Sequence, residues 1–251
     1  MGQSAKRFFL CLCCLCLLWA GFGTARQAES AYNDDNKIPY PAGMVLESAA
    51  SVERLADVRE SPYFPRFDFY NMKSGGSLVI LENFKTFQQT TEETCGPACV
   101  IMVLEHYGMY DGQGDRKLYE LRADKDRPES MLKDMIRMFE SLGEWDIYST
   151  YDLDDPNRVP HDLIMNSLKE NKPVIFGDSE WGGHWRIIIG YDDMGDDNDA
   201  NDVLIVAESC DISDHDQDGY CVISFKRLYH GWINTFDPDF SRNLFLIAAP
   251  K

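Results

Sequence analysis

The apolar pattern of this 251-residue chain changes once, at Lys172, and that change limits the fold more than any other feature. Before it, apolar residues recur mainly at helical spacing. After it, "PVIFGD", "HWRIIIGY", "VLIVAE", "GYCVISF" and "LFLIAAP" are short runs separated by Gly- and Asp-rich loops, which predict strands. Helices first and strands later, without βαβ alternation, predict an α+β fold in place of a doubly wound sheet. One earlier strand is expected in "SLVILENF", after the break at Gly75-Gly76.

Three helices are expected. The first runs from about Gly96 to Tyr107, with Pro97 in its first turn and Gly108 at its end. The second lies in "DRPESMLKDMIRMFESLGEW", with Pro128 near its start and Gly143 at its end. Its apolar face is Met131, Leu132, Met135, Ile136, Phe139 and Leu142, a methionine-rich stripe read as core packing. The third is "VPHDLIMNSLKENK". Upstream, "ESAASVERLADVRE" can form a short helix around Ala49–Val58, and "SPYFPRFDFY" is an edge strand or a packing arm interrupted by prolines.

The first 25 residues stand apart. Lys6 and Arg7 precede "FFLCLCCLCLLWA", and small residues follow at Gly23 and Ala25, the layout of a secretory signal peptide cut near Ala25. The run is short for a membrane span, which needs about 20 residues; an uncleaved anchor is the alternative. Its four cysteines are apolar filler. Loss of Lys6 and Arg7 takes the formal charge from -18 to -20, and a chain this acidic is repelled by nucleic acid and by anionic membranes. The organisation expected is a signal peptide over 1–25, an arm over 26–74 and one domain over 75–251, in a periplasmic or secreted protein. Oligomeric state is not legible.

Four cysteines remain: Cys95, Cys99, Cys210 and Cys221. In "CGPAC" the cysteines are spaced by three residues, where thioredoxin-like pairs are spaced by two, and no βαβ pattern precedes them. Cys210, His215 and Cys221 lack zinc-site spacing. Cys95 opens the first helix, where unpaired backbone N–H groups and the helix dipole favour a thiolate. Cys99, one turn inside, reads as a small buried residue. A nucleophilic thiol needs a base, and His184 is the histidine with the most suggestive setting: it begins a β-branched strand directly after two glycines, which let another backbone or a substrate approach.

Together, "QTTEETCGPACVIMVLEHYG" and "GGHWRIIIGYD" resemble the papain-like cysteine peptidases of the bacteriocin-processing, double-glycine leader peptidase superfamily, over about residues 75–250. The resemblance implies a papain-like fold, with the nucleophile helix packed on an antiparallel sheet. It implies Cys95 as nucleophile, His184 as general base and acid, and Gln89, six positions before the cysteine, as an oxyanion donor beside the Cys95 N–H. The family's third residue is an aspartate after the next strand. Here that stretch is "VLIVAESCD", so Glu208 takes the place, with Asp211 as the alternative. The implied activity is hydrolysis of peptide or amide bonds through a thioester, with no cofactor and no metal. The implied partner is a peptide. A γ-glutamyl peptide is the alternative, through a likeness to phytochelatin synthase, and a catalytically idle secreted binding module is the non-enzymatic one.

Two acidic stretches remain. "DDMGDDNDAND" reads as a solvated, self-repelling loop. "DHDQDG", Asp214 to Gly219, matches the first half of a calcium loop, but Phe225 stands where the closing glutamate belongs. Cys210 and Cys221 flank this loop, and a disulfide between them is left open, since sequence fixes no Cα separation.

Overall fold

The structure, a computed structural model, describes residues 36–47, 62–155, 161–231, 237–240 and 243–251. The expected signal peptide and the helix expected around Ala49–Val58 lie outside the described residues. Among the described residues, twelve helices and strands carry the fold. In chain order they are β1 (Leu78–Ile80), α1 (Cys95–His106), α2 (Asp115–Tyr119), α3 (Leu132–Leu142), β2 (Trp145–Ser149), α4 (His161–Lys169), β3 (Val174–Asp178), β4 (His184–Asp192), β5 (Val203–Ala207), β6 (Tyr220–Ser224), α5 (Phe225–Gly231) and β7 (Leu244–Pro250).

The strands form one antiparallel sheet in the order β2-β7-β3-β4-β5-β6, with β1 added to the far end of β4. This is the α+β arrangement that the apolar pattern predicts. β2 was not foreseen: "WDIYS" has only two buried residues, Trp145 and Ser149, as befits an edge strand paired to β7 alone. The short α2 and α5 were likewise not foreseen; five and seven residues carry too little periodicity to register.

Helix α1 is buried from Cys95 through Leu104 and packs on β4, with α2 and α3 beside it. A helix apolar on every side can be stable only in the middle of a core. Gly96 makes the close approach possible: a Cβ there would lie 2.6 Å from Met135 Sδ, 3.2 Å from Ser130 Cβ and 3.3 Å from Trp185 Cδ1. The methionine stripe of α3 is core, with Met135 and Met138 fully buried. That helix starts at Leu132, later than Pro128 implies, because Asp134 takes the backbone N–H groups of Met131, Ala123 and Asp124 at 2.9, 2.9 and 3.0 Å. The preceding segment is held as irregular chain by Arg122, whose guanidinium donates to the carbonyls of Arg127, Pro128 and Glu129.

The described part of the N-terminal arm has little regular structure, as expected, yet it is anchored. Ile38 N–H donates to the Thr86 carbonyl at 2.9 Å, and Ile38 and Phe69 join the core. "SPYFPRFDFY" forms no strand over its described residues and acts as a packing arm.

Candidate active site

Cys95 is the first residue of α1 and is 9 % exposed. Thr94 precedes it without donating a side-chain cap to the helix. Its hydroxyl is turned instead to the buried carboxylate of Asp115, at 2.6 Å, and the same carboxylate takes the Thr90 N–H and hydroxyl, each at 2.7 Å. Asp115 thus clamps the loop that leads into α1 while the helix start stays uncapped. Pro97 has no N–H to satisfy, so the Cys95 and Gly96 N–H groups are the orphan donors of this turn.

Three strands supply the rest. The ladder pairs Ile187 with Ala207, so one step on, Arg186 stands across from Glu208 and His184 lies on the diagonal. His184 and Arg186 share a strand face through the two-residue period. His184 Nε2 lies 2.6 Å from Glu208 Oε1, and Arg186 Nε pairs with Glu208 Oε2. The Cys210 N–H also donates to Glu208 Oε1, at 3.0 Å. The Cys95 side chain is the other neighbour of the His184 ring and favours its charged form. With Nε2 held by Glu208, Nδ1 is the ring nitrogen left for the sulfur. Cys95, His184 and Glu208 therefore follow one another in a line whose inner link is the His184–Glu208 hydrogen bond, nearly closed to solvent.

The electrostatics follow from burial and partners. Burial alone would lower His184, but the Glu208 charge, the neighbouring Cys95 side chain and the bond to Glu208 outweigh it and raise the imidazole to about 10. Burial alone would raise Glu208; His184 and Arg186 outweigh it and hold the carboxyl down to about 2. Arg186 is 3 % exposed, and it also pairs with Asp178 Oδ2 at 2.8 Å and with Glu180, which in turn pairs with Arg227. This cation was missed in the sequence reading. A lone arginine inside "HWRIIIGY" was the available signal, since a charge buried in an apolar strand requires a partner.

The other named residues are placed as follows. Asp211 Oδ2 accepts the Gly219 N–H at 2.7 Å, while the imidazole meets Glu208. Gln89 is buried, and its Nε2 donates to the carbonyls of Thr91 at 3.0 Å and Glu92 at 3.3 Å while its Oε1 accepts the Ser209 hydroxyl at 2.9 Å. Two carbonyl acceptors fix which end of the amide is nitrogen. Gln89 thereby ties the loop before Cys95 to the residue after Glu208.

All four cysteines among the described residues are free, so Cys210 and Cys221 are not bridged. Their loop is closed by the bond from Gly219 to Asp211 and by Glu208 N–H donating to the Gly219 carbonyl at 2.8 Å. Burial, with Cys95 and Glu208 adding to it, pushes the Cys99 thiol well above its ordinary value. Burial likewise pushes Cys210 up to about 12 and raises Cys221. In the acidic loop, Arg66 pairs with Asp216 at 3.0 Å and Lys37 donates to the Gln217 carbonyl, so cations of the chain itself sit against it. Among the described residues, no three His, Cys, Asp or Glu side chains are grouped to hold a metal ion.

Cys95 opens into a cleft of about 300 Å³ bounded by the turn before α1, by the 128–130 segment and by Gly182-Gly183. Comparison with known proteins adds the family. The Peptidase_C39 like family matches residues 81–229, a span that contains Gln89, Cys95, His184 and Glu208. The peptidase domain of Streptococcus ComA, described as a bi-functional ABC transporter involved in a quorum sensing pathway, is a structural neighbour at 18 % identity and a TM-score of 0.40, covering 67 % of this chain and 99 % of that one. Comparison with curated proteins gave no match. With the match spanning more than half of its length, the chain belongs to the Peptidase_C39-like family, a membership that supports a papain-like cysteine peptidase.

Proposed function

We propose that the protein hydrolyses peptide bonds through an acyl-thioester at Cys95, with His184 and Glu208 completing a triad. The observation that carries this reading is the buried line Cys95–His184–Glu208 at the floor of an open cleft. In the first half-reaction His184 Nδ1 holds the proton of the Cys95–His184 pair and the sulfur adds to the scissile carbonyl. The oxyanion so formed is met by the Cys95 and Gly96 N–H groups at the uncapped helix start. Gln89 joins them by turning the longer of its two donor bonds, the one to the Glu92 carbonyl, toward the oxyanion. His184 then gives its proton to the leaving amine, and the C–N bond breaks to leave the thioester. In the second half, water adds to the thioester as His184 takes its proton, and the sulfur departs while His184 keeps that proton, which restores the starting pair.

Glu208 keeps the ring in the tautomer and orientation that present Nδ1 to the sulfur, and its charge favours the imidazolium. Arg186 is a positioning residue: it holds the second oxygen of Glu208, so that the first stays on His184. The basic residues and apolar run of the first 25 positions support an export signal, and hence a reaction outside the cytoplasm. The test is turnover of a peptide mixture by the parent protein and by Cys95→Ala, with fragments read by mass spectrometry. New fragments from the parent alone would support the reading, and none from either would overturn it.

A further inference from the structure

Among the described residues, the cleft beside Cys95 is lined by three carboxylates and by no lysine or arginine. Glu92 and Glu93 come from the turn before α1 and Glu129 from the segment pinned by Arg122. All three are exposed, and none has an ion-pair partner among the described residues. A helix start attracts carboxylates, which would account for Glu92 and Glu93, but Glu129 belongs to a different part of the chain. A second observation is independent of charge. Ser130 is 3 % exposed and lines the same cleft; its carbonyl accepts Trp185 Nε1 at 2.7 Å, while its hydroxyl has no hydrogen-bond partner. A buried hydroxyl is unfavourable when left unpaired, and one lining an open cleft is in place for a ligand to satisfy. The third boundary carries no side chain: Gly182 and Gly183 have φ of +89° and +137°, and a Cβ on Gly182 would meet open space.

We propose that this cleft selects peptides with a lysine or arginine beside the cleaved bond. Glu92, Glu93 and Glu129 hold the cation, the Ser130 hydroxyl bonds a peptide group of the same segment, and the two glycines let that segment lie extended against the wall. The inference rests on the peptidase reading and names its substrate class. The overall charge of -18 adds steering toward cationic chains, an effect that falls with salt.

The experiment uses two peptidyl acyloxymethyl ketones identical except for lysine or norleucine next to the reactive carbon, whose carboxylate leaves as the Cys95 sulfur takes that carbon. Adduct formation at Cys95 is followed by intact mass and peptide mapping. The lysine reagent is expected to react about tenfold faster at low salt, a few exposed carboxylates being worth that much together. The ratio is expected to collapse toward one at high salt and in Glu92→Gln/Glu93→Gln/Glu129→Gln. Ser130→Ala is expected to slow both reagents by a common factor and keep the ratio. Equal rates on the parent would overturn the inference and leave the peptidase reading standing. No adduct at Cys95 from either reagent would overturn both.

Discussion

His184 and Arg186, two residues apart on one strand, divide the carboxylate of Glu208 between them, His184 Nε2 on Oε1 at 2.6 Å and Arg186 Nε on Oε2. The imidazole that touches Cys95 is therefore oriented by a group that is itself held from the other side. Each end of this chain of contacts makes a separate expectation.

Glu208→Gln removes the charge that keeps His184 protonated and can leave the ring in the wrong tautomer. Turnover is expected to fall about 10²- to 10⁴-fold. With the Glu208 charge gone, burial acts on His184 unopposed and its pKa falls, so the basic limb of the pH profile moves to lower pH. The dependence of turnover on pH in parent and variant checks both.

Arg186→Met leaves Glu208 and Asp178 buried without their shared cation. A loss of about 3–5 kcal/mol is expected, the usual cost of breaking a buried pair from one side. Urea unfolding measures it. Because the guanidinium holds several acceptors at once, Arg186→Lys is expected to recover only part of the loss.

The pair also makes stability depend on pH at both ends. His184 is raised in the folded state, so its contribution is complete below the unfolded value of about 6.5 and is lost as pH rises through about 10. Glu208 is lowered, so its contribution is complete above about 4.3 and is lost as pH falls through about 2. Unfolding free energy measured from acid to alkaline pH is expected to be greatest between these limits, and His184→Ala is expected to flatten the alkaline side.

Gly96→Ala brings a methyl group against Met135, Ser130 and Trp185 in a filled core. A cost of about 1–3 kcal/mol is expected from overpacking. Since Ser130 is among the atoms displaced, peptide turnover is expected to fall with stability, as thermal melts and kinetics on the same sample would reveal.

The α+β class was legible because the strands after Lys172 are unbroken apolar runs between Gly- and Asp-rich loops, and the helix at Cys95 because Pro97 and Gly108 mark its ends. Cys95, His184 and Glu208 were legible as residue types in a family order, whereas the 2.6 Å contact between His184 and Glu208 was not legible. Gln89 was legible as a residue near the site but not as a tie between Thr91, Glu92 and Ser209. Arg186, Asp115 and Ser130 stayed hidden because what makes them matter is burial against groups far off in sequence. Asp115 in "GQGDRKLY" looks like any surface helix start, yet it is fully buried and clamps Thr90 and Thr94.

Cys99 sits one turn from Cys95 and separates a nucleophile from a bystander. Fully buried and with its thiol raised, it is expected to stay unmodified, and Cys99→Ala is expected to keep turnover while costing about 1 kcal/mol of stability. Intact-mass alkylation beside a urea titration checks this.

The most direct measurement traps the acyl-enzyme: folded protein is mixed with an activated peptide ester, quenched in acid, and the added mass is mapped to a residue. The expected result is one acyl group on Cys95, absent in Cys95→Ala and strongly reduced in His184→Ala. An acyl group on Cys99, Cys210 or Cys221, or a folded protein in which Cys95 takes none, would contradict the account.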